Sequence, residues 1–511
     1  MNVQPPPAAG DLNEQLHGTS VWSDEMVAAA GIPIVDVPVV TIGGGIGSFV
    51  LADMLRISGV PIDQIAVLTT LEQPWATYEY LARVSQIPAE ERIRSDSAGM
   101  PDNIWGVPSY ALIEAWREKT LAPLWAVATE PVFGDYWTPR ASTVFRGLAR
   151  EMERIGWSRM LHRGNVRLVR RRHGGGYFSV LTPPAGTSAT RRVAYRSRFA
   201  HIAVGYPGLR FLPDLQEYRE RTGDRARVVN AYEPHEHVYE SLLNRGGTVM
   251  VRGGGIVSSR VLQRLMEDRM HKGAQTHIVQ LLRTYVEGSH GSGPFMRRKG
   301  GDGFAYQGFN WPKSSWGGQL RVRLERLDGE QRKALYDQMG GSNTPKRKLW
   351  QQQMAQSRAE GWYSAVQGVV TEVQPTPDGR IVTRIRSENG LRSELVADHI
   401  IDATGLEADI EEHRLLADLL RHGGAGRNPL GRLDVTRSFE IIGTRAEPGR
   451  LYASGSMTLG GPYSPVDSFA GLQYSALKIA DDLAGLGFTR RIGVARSIGQ
   501  WWRWAQNRSV D

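Results

Sequence analysis

Two stretches lying 210 residues apart share one pattern, and no other feature constrains the fold as strongly. In the first, the apolar run from Val37 to Ile42 breaks at Gly43-Gly-Gly-Ile-Gly-Ser48, and Phe49 to Ile57 continues at helical spacing. This reads as strand, tight turn and helix N-terminus, the opening of a dinucleotide-binding unit. Gly43 permits the turn, Gly45 lets backbone amides approach a pyrophosphate, and Ser48 takes the third small position for helix–strand packing. The amides and the helix dipole then hold the phosphates. In the second stretch, Gly247 to Arg252 leads into Gly253-Gly-Gly-Ile-Val-Ser258, and Val261, Leu262 and Leu265 continue the helix. The candidate cofactor-binding residues of the two turns are Gly43, Gly45, Gly47, Ser48, Gly253, Gly255 and Ser258.

The strand after each turn ends where a dinucleotide fold reads the adenosine ribose. Pro61 to Thr70 forms the first such strand, but Thr69 and Thr70 stand in place of the usual acid and Glu72 follows just beyond. Either a threonine hydroxyl or Glu72 substitutes, or adenosine binding is weakened. The second such strand, Thr276 to Thr284, carries Arg283 at its end. A guanidinium there suits a 2′-phosphate through bidentate hydrogen bonds, which favours NADPH over NADH. The polar, glycine-containing segment from Glu91 to Pro108 reads as a loop. Its position after the first ribose strand makes Arg94, Ser95 and Asp96 candidates for contact with a bound ring system.

The remaining elements are weaker signals. Ser142 to Ile155 has helical period, and strands around Arg170-Arg-Arg-His-Gly-Gly-Gly176 place that basic cluster in a hairpin turn. His201 sits inside the apolar run from Phe199 to Gly205 and reads as a core histidine. His235 and His237 alternate beside Glu233 and Glu236 as if on one side of a strand, but no third ligand is identifiable, so a metal is not expected. From Tyr285 to about Glu360 the chain fits no nucleotide-fold period, and Gly308 to Gly318 supplies aromatic and polar groups suited to a small-molecule pocket. Lys346 to Arg358 reads as an amphipathic helix with Leu349, Trp350 and Met354 inward. Ala397 to Glu407 is a buried strand ending in Ala-Thr404-Gly405. A further strand ends in Gly455-Ser456, and a small-residue helix follows from about Phe469 to Ala484.

Composition removes several classes of function. The 511 residues contain no cysteine, which excludes structural disulfides, cysteine nucleophiles, zinc–thiolate sites and the dithiol of a disulfide reductase. No apolar run is long enough to span a bilayer, and Met1 to Gly10 lacks the pattern of a secretory signal, so the cytoplasm is the expected location. The net charge of +9 is spread along the chain without a nucleic-acid-binding motif, and reads as a solvated basic surface. The tail from Gln500 to Arg508 mixes tryptophan with arginine. Packing back on the body is the favoured reading, with an anionic membrane surface or a protein partner as the alternative.

Taken in order from Val37 to Ala484, these features resemble the class B flavin-dependent monooxygenases, which include N-hydroxylating and flavin-containing enzymes. The Gly43 turn resembles their FAD site, Ala203 to Pro207 the first exit strand, and Gly253 to Ser258 their NADPH site. His235 to Tyr239 is similar to the element that precedes the NADPH site, with Glu236 in place of its serine. Thr404 and Gly405 match the return strand, and Gly455 and Ser456 the closing flavin strand, where Ser456 replaces an aspartate. The resemblance implies an α/β protein with two Rossmann-like dinucleotide-binding domains, the NAD(P) domain inserted into a discontinuous FAD domain. Residues 31–211 and 367–488 would bind FAD. Residues 212–366, with an insertion at 285–360 forming the pocket, would bind NADPH. Residues 1–30 would be a flexible lead-in, and 489–511 a basic aromatic tail.

The implied activity is NADPH-driven flavin reduction, then reaction with oxygen to a hydroperoxyflavin that hydroxylates an amine, another heteroatom or a carbonyl substrate. Arg94 and Ser95 would be the catalytic hydrogen-bond donors beside the flavin. Two other readings stand beside this one. One is an NADPH:flavin oxidoreductase without oxygen insertion, and the other a degenerate flavoprotein fold acting as a binding or structural subunit.

Overall fold

The computed structural model describes the chain except residues 1–9, 94–99, 101, 103–105, 134–136, 185–190, 290–298, 307–314, 340–343 and 345–346. Two five-stranded parallel sheets organise it. The first runs, edge to edge, through Arg450–Ala453, Phe199–Ile202, Val39–Ile42, Ile65–Thr69 and Leu161–Arg163. The second runs through Val228–Asn230, His399–Asp402, Gly247–Arg252, Thr276–Leu282 and Tyr363–Gln367. In each sheet the strand leading into a glycine turn lies between the strand that follows it and a strand returning from far along the chain. Strands buried on both faces read as continuous apolar runs rather than alternating ones, and Val39–Ile42, Ile65–Thr69 and Phe199–Ile202 are buried throughout.

Helices cover the sheets. Ile46–Ile57 follows the first turn and is buried along almost its whole length. It packs against Phe469–Gly485, and in that helix Gly471 lets the chain fold tightly on its own preceding loop, where a Cβ would fall 2.3 Å from the Pro465 carbonyl oxygen. Ile256–Lys272 follows the second turn. A mixed sheet of Val21–Trp22, Asn165–Arg172, Tyr177–Thr182, Val193–Ser197 and Ile34–Asp36 flanks the first unit. A three-stranded meander, Val369–Pro375, Ile381–Arg386 and Arg392–Ala397, flanks the second. Across the units, Arg260 pairs with Glu91, and Arg264 reaches Gln86 at 2.9 Å.

Several expectations are corrected. Residues 10–30 belong to the body: Leu16, Trp22 and Val27 are buried in a core with Phe178 and Val180, and Val21–Trp22 pairs with the strand Asn165–Arg172. The boundary expected at 367 moves to about 404, because the meander and the strand His399–Asp402 belong to the second unit. The 285–360 segment, expected as a pocket-forming insertion of the second unit, also reaches the first. Its helices Gln319–Arg326 and Gly329–Met339 lie against the first unit, where Tyr336 donates to the Tyr463 carbonyl at 2.8 Å and Arg321 to the Tyr474 hydroxyl at 3.2 Å.

Individual side chains also differ. In the helix Lys348–Ala359, Trp350 and Met354 are buried but Leu349 is exposed. Arg170 is not in a turn: it is fully buried in a strand, paired with Asp418 and donating to the Thr19 carbonyl. His235 stands at the N-terminal boundary of the helix Glu236–Arg245, without a side-chain capping bond, instead of lying on a strand. The tail forms the helix Val494–Ala505 and packs back on the body, with Trp504 buried under the Arg150 guanidinium at 4.4 Å.

Candidate nucleotide sites

Past Ile42 the chain turns through Gly43 at φ +125° and Gly44 at φ +66°, conformations that side-chain-bearing residues rarely adopt. Space forbids a side chain at both positions as well. A Cβ on Gly43 would fall 2.3 Å from the Ala203 carbonyl oxygen, and one on Gly44 2.1 Å from the Thr69 hydroxyl. Gly45 differs. Its backbone is extended, it stands at the N-cap with no side-chain cap, and its Cβ direction is open. The first turn of Ile46–Ile57 therefore presents its amides to open space, as a diphosphate requires. Gly47 packs against Ala203, Ser454 and Leu472, which holds the turn against the closing strand.

The second turn repeats this geometry at its first and third glycines; at Gly254 the backbone is not left-handed and a Cβ would come closest to the Leu282 side chain, at 3.1 Å. Gly253 has φ +128°, and a Cβ there would fall 2.5 Å from the Ala403 carbonyl oxygen. Gly255 occupies the N-cap of Ile256–Lys272 at φ −90° and ψ −172°, against −79° and −171° at Gly45, again without a side-chain cap. Ser258 and Gln280 both donate to the Gly253 carbonyl, at 2.7 and 2.8 Å. Both turns thus fit a dinucleotide diphosphate.

The adenosine ends are less alike. Thr69 donates to the Gly43 carbonyl at 3.0 Å and accepts from the Leu71 amide at 2.9 Å, so its hydroxyl braces the turn and is not turned toward a ribose. Glu72 is exposed at the strand end and paired with Arg163 at 2.5 Å, leaving it as the acid available there. Arg283 is exposed at the end of Thr276–Leu282. Thr404 and Gly405 end the strand His399–Asp402, beside the Gly253 turn, and so belong to the second site and not the first. Thr404 donates to Asp402, which also accepts from the Leu212 amide at 2.8 Å, and burial raises the Asp402 pKa. Gly455, at φ +86°, and the buried Ser456 close the first site beyond Arg450–Ala453. Arg94 and Ser95 lie outside the described residues.

Four buried groups form a hydrogen-bonded row behind the first turn. Ser48 accepts from Thr41 at 2.9 Å and from the Gly44 amide at 3.3 Å. Thr41 contacts His201 Nδ1 at 2.8 Å, and His201 Nε2 contacts the Ser454 hydroxyl at 2.9 Å. With Thr41 donating to Ser48, Nδ1 carries the proton and Nε2 accepts from Ser454. Burial pushes the imidazole down to about 3, so it stays neutral and joins the glycine turn to the closing strand. The core reading of His201 holds, and its partners give it a definite structural task.

Sequence reasoning missed Gly44, although its place in the glycine cluster was a signal, and it missed the partners of His201, for which there was none. It also missed Arg347. That guanidinium donates to Ser259 in the first turn of the second helix at 3.2 Å, while its Nε and Nη1 are buried without a partner among the described residues. Burial lowers the Arg347 pKa to about 10. His235 Nδ1 meets the Glu233 carbonyl at 2.7 Å, His235 Nε2 meets the Tyr239 hydroxyl at 3.0 Å, and His237 is taken by the Ala226 carbonyl at 2.8 Å.

No family model and no curated relative matches this sequence. Solved structures do. A cadaverine monooxygenase of desferrioxamine biosynthesis from Erwinia amylovora, bound to FAD, aligns at TM-score 0.62 and 12% identity, over 90% of this chain and 97% of its own. An ornithine N-hydroxylase from Kutzneria sp. 744 aligns at 0.60 and 15%, over 89% and 100%. A bacillithiol disulfide reductase from Bacillus cereus aligns at 0.51 and 14%, over 88% and 100%. The chain has the α/β fold these flavoproteins share, across nearly all of its length.

Proposed function

We propose that this chain is an FAD- and NADPH-dependent monooxygenase that hydroxylates a small amine at nitrogen, using oxygen. The observation that carries this reading is the paired turns. Gly43 against the Ala203 carbonyl and Gly253 against the Ala403 carbonyl make two cradles of one design, each opening a helix at an uncapped glycine. Two dinucleotides in one chain are what hydride transfer from a nicotinamide to a flavin requires. The fold is shared with amine hydroxylases and with a disulfide reductase, and a chain without cysteine supplies no dithiol for the second chemistry.

Bound FAD would supply the chemistry, accepting hydride from NADPH and activating oxygen. The chain's own part is positional. Amides after Gly45 hold one diphosphate, and Thr69 and the His201 row keep that turn in shape. Glu72 stands at the adenosine end of the first site. Amides after Gly255 hold the second diphosphate, with Arg283 and Arg347 as cations for a 2′-phosphate. Arg94 and Ser95 are assigned the flavin-facing hydrogen bonds.

The visible spectrum of the purified protein with FAD, before and after anaerobic NADPH, tests the two sites. A bound-flavin spectrum that bleaches is expected, and no flavin retention after incubation with FAD would remove the proposal. Oxygen uptake with ornithine, lysine or cadaverine should then yield a hydroxylamine. Stoichiometric peroxide with every amine would instead indicate an oxidoreductase without oxygen insertion.

A further inference from the structure

Among the described residues, the large apolar side chains left most open to solvent concentrate at one place. Helix Val107–Glu118 and helix Ala122–Phe133 form a hairpin whose turn and outer face expose Trp116, Leu121 and Trp125, at 87, 76 and 67%. The C-terminal helix Val494–Ala505 exposes Val494, Ile498 and Trp502, at 79, 63 and 56%. Spacing of four residues puts these three in one stripe. The two elements touch: Trp501 donates to Ser109 at 3.2 Å, and the Trp504 and Tyr110 rings pack with centroids 5.6 Å apart. Ser109, Leu112, Ile113 and Trp116 share one face of their helix by the same spacing, so the hairpin face adjoins the C-terminal stripe. Every tryptophan counted as exposed in the described structure, Trp116, Trp125 and Trp502, is in this region.

Charge selects what covers it. Residues 489–511 hold five arginines and one acid, Asp511, and that acid is engaged by Arg56. Arg490, Arg491, Arg503 and Arg508 are exposed around the stripe. A second copy seated face to face would bring two net-positive surfaces together, because a two-fold contact pairs a patch with itself. A surface that offers apolar depth and negative charge satisfies both features. Indole rings favour the boundary between headgroups and acyl chains.

We infer that this face docks on an anionic phospholipid bilayer, with the tryptophans at the interface and the arginines on the headgroups. No helix among the described residues is long and apolar enough to cross a membrane, so the association is peripheral.

Flotation of the full chain, incubated with FAD, on vesicles of phosphatidylcholine alone or mixed with phosphatidylglycerol tests this. Binding is expected on the mixed vesicles only, and it should weaken at about 1 M salt, where the Debye length is about 3 Å. The variant Trp116→Ser/Trp125→Ser/Trp502→Ser should lose it while keeping its unfolding midpoint. Arg490→Gln/Arg491→Gln/Arg503→Gln, which leaves the apolar face intact, should lower the partition constant at least about tenfold, since each near-surface arginine contributes about fivefold. Equal flotation of wild type and both variants would overturn the inference. So would a wild type that ignores the vesicles and sediments as a dimer, with the tryptophan variant as a monomer.

Discussion

The buried row behind the first glycine turn makes a measurable pH signature. His201 is about 1% exposed, bonded at both ring nitrogens, and held neutral by burial down to about pH 3. Unfolded, the same imidazole takes up a proton near pH 6.5. Between those values the unfolded chain binds more protons than the folded one, so stability is full above about 6.5 and falls as the medium is acidified. One pKa unit is about 1.4 kcal/mol, so this histidine alone costs about 2 kcal/mol on going from neutral pH to pH 5. The substitution His201→Leu preserves approximate volume and removes that proton site. At pH 7.5 it should cost about 2–4 kcal/mol, because two hydrogen bonds are lost and the Ser454 hydroxyl is left without its partner. At pH 5 the gap between wild type and variant should shrink by about 2 kcal/mol, since only the wild type bears the linkage penalty. Guanidinium unfolding followed by tryptophan fluorescence at the two pH values gives both gaps. Other buried histidines cancel in the comparison. A gap that stays constant, or that widens toward acid, would refute the assignment of His201 as a neutral bridge.

Gly44→Ala should prevent FAD retention and lower stability by about 2–4 kcal/mol, because the new Cβ meets Thr69 at a left-handed φ; gel filtration with FAD and thermal unfolding read the two effects. Gly253→Ala should instead leave FAD bound and abolish bleaching by NADPH, since its clash is with the Ala403 carbonyl in the other unit. Arg283→Ala should raise the KM for NADPH by about tenfold or more and leave that for NADH unchanged, the expected loss for a charged hydrogen bond to phosphate. Burial pushes the Asp102 carboxyl up to about 7, above its unfolded value, so this residue favours the folded state below about pH 4 and subtracts stability as the pH rises to 7. Asp102→Asn should therefore raise the unfolding midpoint at pH 8 relative to wild type, and the advantage should vanish at pH 4.

Much of the site was legible because it is local. A strand that must turn sharply onto a helix and still admit a phosphate needs glycine at particular offsets, and Gly43, Gly45, Gly253 and Gly255 stand there whatever the rest of the chain does. The strand ends that carry Glu72 and Arg283 follow from the same units. By contrast, Ala397 to Glu407 reads as a buried strand equally well in either sheet. Only the pairing of His399–Asp402 between Val228–Asn230 and Gly247–Arg252 places Thr404 and Gly405 in the second unit.

The same division holds for side chains. Thr69 looked available to a ribose until Gly44 brought the turn against its hydroxyl. His201 could be recognised as buried, but Ser454 lies 253 residues away in sequence and no spacing announces it. Leu16, Trp22 and Val27 looked like a loose N-terminus because their partners come from strands more than a hundred residues on. Sequence by itself determined where the backbone had to turn and which helices would open at an uncapped glycine, since sterics act between neighbours along the chain. Tertiary structure decided which unit each distant strand completes and which hydroxyls stay free, because burial and hydrogen bonding are settled by neighbours in space.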